Sequence, residues 1–262
     1  MGSATTQALT ATEAALKATR ITDLTVTREL FLAARTIAES SQLSSALSAW
    51  GVAGEARADV AGRVFAAFQP ETVALLTAAA GQRWSSLEDL IAGIEALAIR
   101  AASIAAPSVD IEGELFEVSR TVAANPELEL ALGSRLGDAS AKGSLIETLL
   151  TGRASEATTL IVSSLVQQPR ERRVRALLTR ALRLVADERG RTVATVYAAT
   201  APDAAQLDRL RGILAQRYGS DVALNLVVDP AVIGGLRVEI GDDVIDATVS
   251  SRLNDLRQRL AG

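Results

Sequence analysis

Asp242, Asp243 and Asp246 crowd into one short stretch near the end of a 262-residue chain, just beyond a Gly234-Gly235 pair. Neighbouring carboxylates are the residue types that hold divalent cations, and adjacent glycines are what phosphate-binding loops require. Neither chemistry is completed by the surrounding sequence. A cation site needs oxygens converging from more than one hairpin, and Gly241-Asp242 is itself a favoured turn pair. Gly234-Gly235 leads into an alternating strand pattern and not into a helix N-terminus. Neither GxGxxG nor GxxxxGK[ST] occurs, and the only lysines, Lys17 and Lys142, follow no phosphate-loop pattern. The chain has no His and no Cys, which excludes the usual zinc sites, a thiolate nucleophile, an imidazole base and a Ser-His-Asp triad. Disulfides are excluded too, so nothing marks the chain as secreted. Serines and threonines are plentiful, but none has a base spaced beside it. The expectation is a protein with no catalytic residue, no bound metal and no cofactor.

A run of strand and turn signals from Val227 to Leu260 must position these residues. Asp229-Pro230 ends one strand, because proline offers no backbone donor, and Gly234-Gly235 permits a reversal at φ values that other residues avoid. Leu236, Val238 and Ile240 alternate with Arg237 and Glu239, and Gly241-Asp242 turns the chain into Val244–Asp246. Ser250 is spaced to cap a closing helix in which Val249, Leu253, Leu256 and Leu260 make one apolar line. Asp255 and Arg259 on that helix are set for an i, i+4 pair. Asp246 and Arg252 flank its start and are spaced to pair or to cap, while Leu253, Leu256 and Leu260 form a candidate interface. Upstream, Thr192–Ala199 reads as a strand, and Asp203 opens a helix carrying Leu207, Leu210, Ile213, Leu214 and Tyr218 that Gly219 closes. Val222–Val228 alternates again. Residues 190–262 therefore read as a small β-α-β-β-β-α module.

Everything before it reads as helix. The chain is rich in Ala, and aromatic residues make up only 3% of it, so its core must come from closely packed aliphatic helices. Helices are expected over residues 4–19, 28–39, 42–50, 56–68, 70–81 and 87–106, with Pro70 suited to a first helical position. An internal repeat follows. Glu29-Leu30-Phe31, Arg35-Thr36, Ala38, Leu43 and Ala46-Leu47 recur 85 positions later as Glu114-Leu115-Phe116, Arg120-Thr121, Ala123, Leu128 and Ala131-Leu132, with 9 of 19 positions identical and no gap. Shared Ala-richness would give scattered matches; a conserved register indicates a duplicated helical unit. Ser40 and Asn125 sit at equivalent N-cap positions. The expected fold class is mainly α with a small C-terminal α/β domain, in three parts: a first helical bundle over 1–95, a second over 96–189, and the module over 190–262.

The second copy ends in an Arg-rich helix. Arg172, Arg173, Arg175, Arg180 and Arg183 lie mostly off an apolar stripe of Val174, Leu177, Leu178, Ala181, Leu184 and Val185. One reading of the stretch 170–183 is an adaptor or nucleic-acid footprint. The alternative is a solvated helix face, favoured by the lack of interleaved aromatics and by a net charge of −4. Apolar runs such as 91–99 and 160–166 are far shorter than the roughly 20 residues of a spanning helix, so no direct membrane insertion is expected.

Residues 229–260 resemble the C-terminal signature of the delta subunit of F-type ATP synthases, the oligomycin-sensitivity-conferring subunit of mitochondria. The matching residues are Asp229-Pro230, Ile233-Gly234-Gly235, Val238, Gly241-Asp242, Val244-Ile245-Asp246, Ser250 and Arg252-Leu253, with Tyr218-Gly219 upstream and Asn125-Pro126-Glu127-Leu128 in the helical part. Ala247 departs from the family's usual Gly. The second helical copy also departs from the single bundle of ordinary members, and resembles the enlarged actinobacterial form. In some actinobacteria a membrane-anchored b-like segment is fused ahead of the delta region, and none of it lies in these 262 residues. The resemblance implies a non-catalytic peripheral-stalk subunit, present once per complex on the cytoplasmic face of the bacterial plasma membrane. Its implied partners are the N-terminal segments of the alpha subunits and the b subunit, with no nucleic acid.

Overall fold

The structure is a computed structural model that describes residues 2–49, 51–134, 137–170, 172–241 and 243–249. Two compact units divide the chain, Met1–Val185 and Ala186–Gly262. In the first, α1 (Ser3–Ala18), α2 (Thr25–Glu39), α3 (Ser41–Ser48), α4 (Gly54–Val64), α5 (Pro70–Gly81) and α6 (Leu87–Ala105) are followed by α7 (Ile111–Ala124), α8 (Pro126–Gly133), α9 (Ala139–Leu150), α10 (Glu156–Gln167) and α11 (Val174–Glu188). Short polar side chains start many of them. Ser40, Ser86, Asp110, Asp138 and Ser155 each accept the backbone N–H three residues on, satisfying one of the donors that a helix start leaves open. Asn125 departs from the expected cap. Its Nδ2 donates to the Thr121 carbonyl at 2.7 Å, closing the end of α7, while Pro126 at the first position of α8 has no N–H to satisfy.

The duplication is visible in space. A shift of 85 carries Ser41–Ser48 onto Pro126–Gly133, and carries the buried Leu30, Ile37 and Leu47 onto the buried Leu115, Val122 and Leu132. Past α9 the register slips by one. The helix starts at Pro70 and Glu156 are 86 apart, as are the buried pairs Leu75 and Ile161, Leu76 and Val162, and Ala79 and Leu165. Glu71 and Glu156, 85 apart, are therefore not equivalent: α9 has 12 residues where α4 has 11, while the turns 65–69 and 151–155 are equal in length. Buried cations also correspond. Arg57 donates to the carbonyls of Val52, Ala80, Gly81 and Gln82, and Lys142, 85 positions on, donates to that of Ser134.

α6 belongs to both copies. The buried stripe of α1, Thr5, Ala8, Thr12 and Leu16, falls 85 positions on at Leu90, Gly93, Leu97 and Ala101, which are also buried. Residues 90 to 103 of α6 are almost all buried, on every face, as befits a helix with packing partners all round. Trp84 packs against it where Gly93 has no side chain; a Cβ at Gly93 would collide with the indole ring, and the indole N–H donates to the Ala79 carbonyl at 2.8 Å. α1 buries Leu16 and Ala8 together with two threonines, Thr5 and Thr12, while Leu9 and Ala15 are only half-buried. Thr12 returns its hydroxyl to the Leu9 carbonyl and Thr5 donates to Asp89, so each is buried without an unmet hydrogen bond.

Glu29 and Glu114 do the same work in the two copies. Glu29 accepts from the Gln69 backbone N–H at 3.0 Å and from the Thr72 hydroxyl at 2.6 Å, at the start of α5. Glu114 accepts from the Ser155 backbone N–H at 3.1 Å and from the hydroxyls of Ser155 and Thr158, at the start of α10. A carboxylate at a helix N-terminus is favoured by the helix dipole and strengthens each hydrogen bond it accepts. Glu29→Ala and Glu114→Ala are each expected to cost about 2 kcal/mol of stability, read as matched shifts in urea midpoint; unchanged midpoints would contradict the shared role.

In the second unit, β1 (Arg191–Ala198), α12 (Ala204–Tyr218), β2 (Asp221–Val228), β3 (Leu236–Ile240) and β4 (Asp243–Asp246) follow the expected order. The sheet order is β2-β1-β3-β4, with β1 parallel to β2 through the α12 crossover and antiparallel to β3, which pairs antiparallel with β4. Ala194, Val196, Val222, Val238 and Ile240 on one sheet face meet Leu214 of α12. Asp203 and Gln206 form a reciprocal capping box, and Gly219 ends α12. Ile213, expected on the apolar face, is 56% exposed. The closing helix expected from Ser250 lies outside the described residues.

Candidate functional site

The glycine- and aspartate-rich stretch is a clamp between backbones. Asp229 donates its N–H to the Ala198 carbonyl at 2.8 Å, and its side chain accepts from Ala231 at 2.9 Å. That fixes the turn through Pro230, whose ring presets φ. Gly234 and Gly235 follow at φ 63° and 82°, a double left-handed step that side-chain-bearing residues resist. The loop they form grips the chain beyond β4. Val249 donates to the carbonyls of Ile233 and Gly234, and Ala247 donates to that of Leu236. Space there is as restrictive as φ: a Cβ on Gly235 would collide with the Ala247 carbonyl oxygen and lie 3.1 Å from the Thr248 Cα.

The aspartates are separated by this geometry. Asp243 accepts the Tyr218 hydroxyl at 3.2 Å, and Asp246 accepts the Thr248 N–H at 2.9 Å. Hydrogen bonding to Thr248, side chain and backbone, holds the Asp246 carboxyl below its ordinary range, with Arg237 adding to the effect. A lowered carboxylate pKa stabilises the fold above its unfolded value and ceases to as pH falls through the lowered one. Gly241, at φ 57°, makes the β3–β4 turn. Asp242, Arg252, Leu253, Leu256 and Leu260 lie outside the described residues.

A feature that periodicity did not reveal is a carboxylate held by three arginines. Glu95, whose side chain is 4% exposed, interrupts the apolar face of α6, and Arg170, Arg172 and Arg180 reach its Oε2 at 2.5, 3.0 and 3.5 Å. Arg180 also donates to the Ala92 carbonyl at 2.8 Å and Arg170 to that of Glu88 at 3.2 Å. Burial pulls the Arg170 and Arg180 pKa values down while Glu95 pulls them up, and guanidinium stays charged at any physiological pH. Arg170 takes φ 47° to make this contact. The expected solvated face is corrected here: a buried carboxylate needs charged partners, and it draws Arg172 and Arg180 inward. Arg175 pairs with Glu129 at 3.0 Å, which leaves Arg173 and Arg183 exposed.

The second copy also carries an open surface. α7 and α9 each pack on α10 and leave between them a groove of about 730 Å³, lined by Val118, Val122, Leu128, Leu145, Ile146 and Leu149 with Glu117, Glu127 and Arg153 at its rim. Leu145 and Leu149 are 41% and 38% exposed. It is mainly apolar and bordered by charged side chains.

Comparison with known proteins agrees with this architecture. The family model described as ATP synthase delta (OSCP) subunit matches residues 99–260, which takes in α7 onward and omits α1–α5. "ATP synthase subunit delta" of Leifsonia xyli is 47% identical over 264 residues, covering 100% of both chains. The subunit of that name in Nocardia farcinica is 37% identical, covering 96% of this chain and 95% of its own, and that of Streptomyces avermitilis is 40% identical, covering 80% and 78%. The first helical copy is therefore spanned by relatives although the family model starts after it. A chain in the cryo-EM structure titled Toxoplasma gondii mitochondrial ATP synthase hexamer overlaps at a TM-score of 0.36 and 18% identity, covering 64% of this chain and 97% of that one, too loosely to carry an argument. On its matched length and on the identity of its relatives, the chain belongs to the ATP synthase delta (OSCP) subunit family.

Proposed function

We propose that this chain is the non-catalytic link of the peripheral stalk in a proton-translocating F-type ATP synthase. Its helical unit holds N-terminal segments of alpha subunits at the catalytic head, and its C-terminal unit holds the membrane-anchored b subunit. One copy serves each complex, at the cytoplasmic face of the bacterial plasma membrane. The observation that carries the reading is where the reactive-looking groups go in a chain of this family. The glycines and aspartates of the signature are taken up in a backbone clamp, and Glu95 in a buried ion cluster. A static strut acts through interfaces that resist torque, and two compact units supply two separate ones. Among the described residues no helix is long and apolar enough to cross a membrane, which fits a subunit held there by b.

The test is binding by the purified full chain. It is expected to hydrolyse no ATP, to bind an alpha N-terminal peptide, and to bind the C-terminal segment of b. Deleting residues 190–262 is expected to abolish b binding and spare alpha binding. Retained b binding after that deletion would overturn the two-ended arrangement.

A further inference from the structure

We propose that Arg172 and Arg180, with Arg170 behind them, bind a phosphate-type dianion at the guanidinium edges that Glu95 leaves free.

The first support is charge. Three guanidinium groups gather on one carboxylate oxygen, which leaves a net of +2. Among the described residues no second carboxylate lies within ion-pair distance of any of the three, and Glu88 acts on Arg170 only from further away. A structural pair needs one arginine, as where Arg175 meets Glu129 on the same helix. Here the cations also oppose one another: burial lowers the pKa values of Arg170 and Arg180, and repulsion from Arg172 lowers both further. The chain accepts an unfavourable φ of 47° at Arg170, and the effect is to add a third cation to a carboxylate that one would neutralise. Backbone strain of this kind gathers at ligand sites. A phosphate, with close to two negative charges at neutral pH, supplies the missing charge.

The second support is the count of hydrogen-bond donors. Arg170 gives Nη1 to the Glu88 carbonyl and Nη2 to Glu95, and its buried Nε has no acceptor. Arg172 gives Nε to the Pro169 carbonyl and Nη2 to Glu95. Arg180 gives Nη1 to Glu95 and Nη2 to the Ala92 carbonyl. Among the described residues Arg172 Nη1 and Arg180 Nε meet no acceptor, and both are open to solvent. Each of these two side chains is 28% exposed, so an ion can reach the free nitrogens while Arg170 adds its charge from within. A tetrahedral oxyanion accepts from several directions at once, whereas a planar anion matches a single guanidinium fork. α11 starts two residues after Arg172, and its dipole favours negative charge at that end. A free phosphate ion and the terminal phosphate of a nucleotide offer the same tetrahedron of oxygens.

The test is isothermal titration calorimetry of the full chain with inorganic phosphate, sulfate, nitrate and magnesium-free ATP at matched ionic strength. Phosphate and sulfate are expected to bind, and nitrate about tenfold or more weakly. Arg172→Gln should weaken phosphate about tenfold or more, and Arg172→Lys, which keeps the charge without the fork, should fall between. Arg183→Gln, at an exposed arginine of α11 outside the cluster, should leave binding unchanged. Urea midpoints verify that the variants fold, and the parent's midpoint should rise with phosphate more than that of Arg172→Gln. ATP binding that Arg172→Gln removes, tighter than phosphate binding, identifies the phosphate as one carried by a nucleotide; phosphate binding without ATP binding identifies the free ion. No heat from phosphate, sulfate or ATP at millimolar concentration overturns the site, as does binding that Arg183→Gln lowers as much as Arg172→Gln. Either failure leaves the peripheral-stalk reading standing, since that rests on partner binding.

Discussion

Gly235→Ala is expected to destabilise the C-terminal unit by about 3 kcal/mol or more, and Gly235→Val further. The side-chain size matters little at first, because the Cβ itself meets the Ala247 carbonyl oxygen and approaches the Thr248 Cα, and both are backbone that cannot step aside. The residue must also hold φ 82°, which L side chains rarely adopt. Loss of the clamp frees the hydrogen bonds that Ala247 and Val249 donate into the loop. Gly212→Ala in exposed α12 is the control. A Cβ there meets nothing within 4 Å, and Ala in a helix is favoured over Gly by about 1 kcal/mol. The chain supplies its own reporters, since Trp50 and Trp84 lie in the helical unit and Tyr197 and Tyr218 in the C-terminal one. Hydrogen exchange and the tyrosine signal should register early unfolding of Gly235→Ala while the tryptophan transition stays put. Unchanged C-terminal exchange would refute the clamp.

Glu95→Ala is expected to cost the helical unit about 3–5 kcal/mol. Removing the carboxylate leaves Arg170, Arg172 and Arg180 facing one another, each with 28% or less of its side chain exposed. The cost is repulsion and desolvation of charges left behind more than it is a lost attraction. Glu95→Gln keeps part of the hydrogen bonding and should fall between. Adding Arg180→Leu to Glu95→Leu removes one stranded charge and should recover part of the loss, a coupling that a double-mutant cycle reads directly. Trp84 packs against Gly93, close to the cluster on α6, so urea unfolding followed by tryptophan fluorescence is the measurement. Equal stability of Glu95→Ala and the parent would mean that the cluster is incidental.

What was legible in the sequence depended on local signals. The succession of strands and helix along the C-terminal unit, the Asp203 cap, the Gly219 stop and the span Pro70–Gly81 follow from periods and terminators that act over a few residues, and the repeat was legible because an ungapped register is itself a local comparison. The glycine pair announced a turn, though not that its second member abuts the backbone of residues 247 and 248. Three features were out of reach for one reason, the sequence distance between partners. Glu95 meets arginines 75 to 85 positions away, and Glu29 and Glu114 reach helix starts about 40 positions on. A lone Glu in an apolar helix was the available signal, because a buried carboxylate implies distant cations. Asn125 misled in the opposite sense: its type suits a cap, but the open carbonyls of α7 were nearer than a donor in the Pro-led α8.

The central claim is that this family member joins two partners through separate surfaces at the same time. Native mass spectrometry of the full chain mixed with an alpha N-terminal segment and the soluble C-terminal segment of b tests it most directly. A ternary species with one copy of this chain, persisting when either segment is in excess, is the predicted result. Mutual displacement, with only the two binary complexes formed at any ratio, would place both partners on one surface and contradict the strut.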